Sequence, residues 1–148
     1  MPVARRRGFT LVEVLIVVVI MAILAAVVIP QFSTSTDDSK AASARSILNT
    51  LRTQIQIYRA QHAGRLPSLS LIELTSSTDD NGNIGVGSAY RYGPYFPAVP
   101  INPYTQSAVV AAPASVPPTA TIPGAGWLYD ATTGNIWIND DTTPFALQ

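Results

Sequence analysis

The stretch from Arg5 to Pro30, RRRGFTLVEVLIVVVIMAILAAVVIP, governs how the rest of the chain is read. Between Phe9 and Ile29 only Thr10 and Glu13 interrupt the apolar run. A helix rising ~1.5 Å per residue over that run would reach about 30 Å, the thickness of a bilayer's hydrocarbon core. Hydropathy therefore predicts an anchoring helix over residues 9–29. Arg5, Arg6 and Arg7 stand directly before it. Basic flanks stay on the cytoplasmic side, so 1–8 is expected to be a cytoplasmic leader and everything after Ile29 to lie across the membrane. A secretory signal peptide would have a shorter apolar core, ~7–15 residues, and an A-x-A cleavage pattern. A plain single-pass anchor fits the hydropathy equally well, and Glu13 is what separates the readings. A carboxylate near the start of a membrane helix costs on the order of a few kcal/mol, and a passive anchor has no use for it. Four residues after Phe9, it is placed to snorkel to the interface or to accept a cation at its own depth.

Composition narrows the remainder. A chain of 148 residues holds one modest domain besides such an anchor, too little for a two-domain enzyme. Nine basic and nine acidic side chains balance, but without the leader the remainder is mildly acidic, and Lys40 is its one lysine. Binding by phosphate neutralisation needs clustered Lys and Arg, so no nucleic-acid partner is expected. Cysteine is absent, which excludes a disulfide framework and thiolate metal sites. His62, the single histidine, has no Ser or Cys at motif spacing, and no hydrolase constellation or other catalysis is predicted.

The run Arg5-Arg6-Arg7-Gly8-Phe9-Thr10-Leu11-Val12-Glu13, followed by the apolar block, resembles the class III signal sequence of type IV pilins and type II secretion pseudopilins. The resemblance implies cleavage between Gly8 and Phe9 by a prepilin peptidase, and N-methylation of the new Phe9 amine. It implies that Glu13 neutralises the Phe9 amine of a neighbouring subunit during assembly. It also implies a pilin fold, α+β, in which a long N-terminal helix packs on a small antiparallel sheet. The expected partners are the peptidase, further copies and other pilin-like subunits, and an inner-membrane assembly platform. The expected location is the bacterial inner membrane, single-pass, with a periplasmic head that later joins a periplasmic or extracellular filament. Pro30 is expected to kink the helix, or alternatively to end it.

Beyond Pro30, residues 30–64 read as an amphipathic helix and 65–148 as a loop-rich β region. Ala41, Ala44, Leu48, Leu51, Ile55 and Tyr58 recur at three-four spacing, one buried stripe with Ile47 beside it, while Arg45, Asn49, Arg52 and Arg59 are expected to face water. Ser33–Ser39, with Asp37 and Asp38, reads as a polar bridge to the head, and Gly64 as the C-cap. Asp79-Asp80-Asn81-Gly82-Asn83 reads as a turn. Prolines 113, 117, 118 and 123 mark irregular chain. Trp127–Asp130 and Asn135–Ile138 predict a hairpin closed by 131–134, with Tyr129 opposite Ile136 and Leu128 opposite Trp137. Trp127, Tyr129, Ile136 and Ile138 would then cover the helix stripe.

The stretches 92–103 and 126–134 are similar to segments of major, type G pseudopilins, and the missing cysteines favour that branch over disulfide-closed adhesive pilins. The leading expectation is thus a pseudopilus subunit for type II protein secretion. The alternatives are a type IV pilus subunit for adhesion, motility or DNA uptake, and a membrane-tethered binding module. Calcium is the cofactor such a head would take, through Asp130, Asn139, Asp140 and Asp141, though acids near a chain end are more often simply solvated. The sixth and twelfth positions from Asp79 are Ile84 and Tyr90, which do not fit a calcium loop. Around Arg91, the aromatic residues Tyr90, Tyr92 and Tyr95 read as packing against Pro94 and Pro97.

Overall fold

A computed structural model describes residues 8–140, with the side chains of 27–35 outside the described set. Two compact units divide the chain, Met1–Ser39 and Lys40–Gln148. The longest element is α1, Leu11–Gln61, which belongs to both. Position 30 lies within it, so proline does not end the helix. The polar bridge 33–39 is helical. Among the described residues no helix is long and apolar enough to cross a membrane, and Val27, Val28 and Ile29 of the apolar run are among the side chains outside that set.

The second unit is built on the stripe expected from the sequence. Ala44, Leu48, Leu51, Ile55 and Tyr58 are all buried, packed with Leu71, Leu74, Trp127, Tyr129, Ile136 and Ile138 into one core. Burying each large apolar side chain stabilises this unit by about 1.5–3 kcal/mol, against the entropy of ordering its loops. Arg52 departs from expectation. Its guanidinium is half-buried and donates to the Ile136 carbonyl, 3.1 Å away, on the outer strand of the sheet.

The end of α1 also differs from the Gly64 cap. Ala63 adopts φ 52° and Gly64 φ 86°, and the Gly64 N–H donates back to the Arg59 carbonyl at 2.8 Å. That six-to-one bond is a Schellman closure whose left-handed C′ residue is Ala63, with glycine one place later.

After Leu66 the chain winds around the core. A single 3₁₀ turn, η1, spans Ile72–Leu74. The turn at 79–83 forms as expected, with the Asp79 carboxylate accepting from the N–H groups of Asn81 and Asn83 at 2.8 and 2.9 Å; Gly82, at φ 86°, supplies its positive φ. Three strands follow, β1 (Val110–Ala111), β2 (Trp127–Asp130) and β3 (Asn135–Ile138), in the spatial order β1-β2-β3. The β2–β3 hairpin has the expected register, Tyr129 against Ile136 and Leu128 against Trp137. Its two faces separate as alternation requires. Trp127, Tyr129, Ile136 and Ile138 join the helix core, while Leu128 and Trp137 form a second cluster with Ala125.

The sheet is mixed rather than antiparallel, because β1 pairs parallel to β2. Parallel neighbours need a long crossover. Here the proline-rich segment 112–126 provides it, with no helix of its own. Two buried asparagines hold the C-terminal part of that crossover. Asn102 Nδ2 donates to the carbonyls of Gly126 (2.6 Å) and Asn139 (2.9 Å), and Asn139 Nδ2 donates to those of Ile122 and Ala125, both at 2.7 Å. Irregular backbone that would otherwise leave buried carbonyls unsatisfied is thus paired.

Candidate functional site: the start of helix 1

Helix α1 begins at Leu11, so Gly8, Phe9 and Thr10 precede it. What stops the helix there is a reciprocal pair. Glu13 donates its backbone N–H to Thr10 Oγ1 at 3.2 Å, and Glu13 Oε2 accepts from the Thr10 N–H at 3.2 Å and from Thr10 Oγ1 at 3.3 Å. This is a capping box, Thr-x-x-Glu, which satisfies two donors that a helix start leaves open and places a negative charge at the positive end of the helix dipole. The sequence reading treated Glu13 as an electrostatic device alone. The signal that it is also a cap was the Thr10 three positions earlier.

Three consequences follow from the geometry. Phe9 is 85% exposed and lies outside the helical hydrogen-bond ladder. Gly8 has open space where a Cβ would stand and no positive φ, so the described fold does not require glycine at this position. The Glu13 carboxylate uses Oε2 for the cap, while Oε1 makes no hydrogen bond among the described residues. Beside it runs a groove of about 410 Å³ lined by Phe9, Glu13, Val14, Val17 and Val18. One anionic oxygen therefore stands at the edge of an apolar trough.

Two of the calcium candidates, Asp130 and Asn139, do not converge. Asp130 closes the hairpin loop: its Oδ1 accepts from the Thr132 N–H and hydroxyl at 2.9 and 2.7 Å, and its Oδ2 from the Thr133 hydroxyl at 2.6 Å. The Thr133 and Thr132 bonds hold its carboxyl below the usual carboxylate range. Asn139 lies at the opposite end of the hairpin, its backbone N–H donating to the Gly126 carbonyl. Four residues of strand, at ~3.4 Å each, separate the levels of Gly126 and Asp130, so Asp130 and Asn139 cannot share an ion. The Asn139 side-chain oxygen also accepts from the Ile122 N–H at 3.1 Å. Asp140 is buried and has a partner of its own, and Asp141 lies outside the described residues. Among the described residues no group of three His, Asp or Glu side chains is placed to hold a metal.

His62 is a structural pin. It is fully buried, stacked on Tyr58 with ring centroids 3.9 Å apart, and edge-on to Tyr92. Nδ1 faces the Tyr58 carbonyl at 2.8 Å and Nε2 faces Thr78 Oγ1 at 3.0 Å. A carbonyl only accepts, so Nδ1 carries the proton and, in the neutral ring, Nε2 accepts from the Thr78 hydroxyl. Arg91 stacks 5.2 Å above the Tyr92 ring and pairs with Asp80 at 2.7 Å. Tyr95 reaches back to Gln61 on the helix rather than capping its neighbouring prolines alone.

The described chain is helix-led and α+β, with an exposed Gly8–Phe9 junction ahead of a capped acid. Residues 3–29 match the family model of the prokaryotic N-terminal methylation motif. Type II secretion system core protein G of Pseudomonas aeruginosa is 36% identical over 55 residues, covering 37% of this chain and 39% of that protein. ComG operon protein 3 homolog of Bacillus licheniformis is 28% identical over 67 residues, covering 45% of this chain and 69% of that protein. The chain thus spans 39% of the first of these relatives and 69% of the second. No solved structure matches the chain.

Proposed function

We propose that the chain is a filament subunit, cut between Gly8 and Phe9, N-methylated at Phe9, anchored in the inner membrane through residues 9–29 with its head in the periplasm, and polymerised into a pseudopilus for type II protein secretion. The observation that carries this reading is the capped start of α1. It leaves the Gly8–Phe9 peptide outside the helix, where a peptidase can take it as extended chain, and leaves one Glu13 oxygen free beside Phe9 for a neighbour's ammonium. In low-dielectric surroundings such a pair selects register strongly, whatever its net stabilisation. Gly8 fits as an unhindered residue at the cut, a role the fold itself does not require of it. No reaction is assigned to the chain. Its partners in this reading are the prepilin peptidase, further copies, other pilin-like subunits and the assembly platform.

A type IV pilus subunit is the second reading, favoured by the likeness to the ComG operon protein 3 homolog, of which the aligned stretch covers the larger share. The test common to both is mass spectrometry of the protein from cells that carry its assembly machinery. A chain beginning at methylated Phe9 is expected. One that retains Met1, or is cut beyond Ile29, removes the proposal and leaves a membrane-tethered binding module. Filaments confined to the periplasm and lost with secretion select the pseudopilus, and surface filaments the pilus.

A further inference from the structure

The turn at 79–83 belongs neither to the start of α1 nor to the sheet, yet it holds a pair of residues with chemistry of its own. Of the six asparagines only Asn81 precedes a glycine. A residue without Cβ lets its backbone nitrogen approach the side-chain carbonyl of the residue before it, so Asn-Gly closes to a cyclic imide more readily than other asparagine pairs. Elsewhere the fold opposes that closure. Asn102 and Asn139 are buried, and Nδ2 of each donates to two carbonyls. Asn102 also precedes a proline, which has no N–H to lose. In the turn itself, Asn83 Nδ2 is held by Asp79 Oδ2 at 2.9 Å.

Asn81 is arranged differently. It is exposed, and its Nδ2, the atom that has to leave, makes no hydrogen bond among the described residues. Its Oδ1, the atom that has to take up negative charge, accepts from Arg65 Nη1 at 3.2 Å, and the same nitrogen reaches the Asn81 main-chain carbonyl at 2.7 Å. Only an oxygen can accept from a guanidinium, which fixes the orientation of the amide. A cation at a carbonyl oxygen makes its carbon more electrophilic and stabilises the oxyanion formed on attack, an effect that solvent weakens here because Arg65 is exposed. The turn works the other way. The Gly82 N–H donates to the Asp79 carbonyl at 3.0 Å, and the Asp79 carboxylate holds the N–H groups of Asn81 and Asn83. Attack by the Gly82 nitrogen therefore waits for the turn to open.

We infer that Asn81 is a self-modification site that consumes only water, held back by the Asp79 turn and activated by Arg65. Once the turn opens, the Gly82 nitrogen gives its proton to solvent base and bonds to Asn81 Cγ. The bond from Cγ to Nδ2 breaks, ammonia leaves, and a five-membered imide remains. Water then opens the ring. Attack at the former side-chain carbonyl leaves aspartate, and attack at the main-chain carbonyl leaves isoaspartate, whose backbone is one methylene longer. Gly82 packs so closely on Tyr58 that a Cβ would stand 2.5 Å from its hydroxyl oxygen, so the longer backbone displaces the turn from the Tyr58–His62 stack.

The test incubates the purified full-length chain in detergent at mildly alkaline pH and follows the peptide containing Asn81 by mass spectrometry, with unincubated chain digested alongside as the baseline. Amide-to-acid conversion is expected at Asn81, with the other five asparagines unchanged. Part of the product is isoaspartate, scored by enzymatic methylation. Arg65→Met slows the conversion several-fold and Arg65→Lys falls between it and the parent; a variant that merely loosened the fold would react faster, not slower. Asp79→Ala speeds the conversion several-fold. A native chain that keeps Asn81 intact over a time in which the urea-unfolded chain converts overturns the site. A rate that Arg65→Met leaves unchanged or raises overturns the activation by Arg65, and one that Asp79→Ala does not raise overturns the restraint by the turn.

Discussion

Thr10 and Glu13 illustrate how one side chain can serve two ends, and how to separate them. A glutamine at position 13 can still accept from the Thr10 N–H, whereas valine cannot, and neither carries charge. If charge neutralisation is what assembly needs, Glu13→Gln and Glu13→Val both lose filaments, with cleavage at Gly8 intact in each; filaments from Glu13→Gln alone would reduce Glu13 to a helix cap. Gly8→Ala makes a complementary prediction. Open space around Gly8 means the variant's thermal midpoint matches the parent's, while the share of unprocessed precursor rises. Asn102 is the buried counterpart. Replacing it by alanine leaves the Gly126 and Asn139 carbonyls without its donors, at about 1–3 kcal/mol for each carbonyl that finds no other partner, and chemical denaturation of the full chain would register the loss. Of these residues, Glu13 stood out in the sequence because an acid in an apolar run is conspicuous. Asn102 did not, because nothing in Ile-Asn-Pro tells which distant carbonyls it will meet.

At the level of elements, the hairpin was fully legible: short alternating strands around Ala131–Gly134 left one register in which four apolar side chains share a face. Helix α1 was legible as a stripe but not at its end, where Ala63 takes the left-handed position one residue ahead of Gly64. β1 was not legible at all, since two residues carry no periodicity and their parallel pairing is set by the crossover and its asparagine ties. Two predictions belong here. Asp130 has its carboxyl held down by the Thr133 and Thr132 hydrogen bonds, so its contribution is present above the unfolded carboxylate range and is lost as pH falls through the lower folded value. The protection factors of the 131–134 amides, with the intrinsic pH dependence of exchange divided out, should therefore stay constant on acidification down to about pH 4 and fall below it; Asp130→Asn should abolish the step. Gly126→Ala drives a Cβ into the Ser107 carbonyl, a backbone atom that cannot rotate away, and overpacking of that kind costs about 1–3 kcal/mol in the midpoint of denaturation.

Over the whole chain, the sequence carries an apolar run at 9–29 and a mildly acidic, cysteine-free remainder that must be held by packing. Tyrosine ionisation reports that packing. Burial, followed by the Tyr58 and Tyr92 charges, pushes Tyr95 up to about 12; Tyr129 is raised chiefly by burial, and Tyr58 is raised for the same leading reason. A raised phenol favours the folded state fully below its unfolded value near 10, and that contribution is lost as pH climbs through the folded value. Alkaline titration followed by phenolate absorbance should show these three ionising late and together with unfolding, and Leu51→Ala, costing about 2–5 kcal/mol, should bring that transition to lower pH. The mixed sheet has a kinetic corollary. The β2–β3 hairpin closes across 131–134, whereas β1 can pair with β2 only after the crossover 112–126 has been gathered in. Longer closures cost more entropy, and contacts distant in sequence form later. The hairpin and helix stripe should thus condense first, with β1 arriving last. Until β1 docks, that side of β2 is an open edge able to recruit a foreign strand, and mispairing is favoured in that interval.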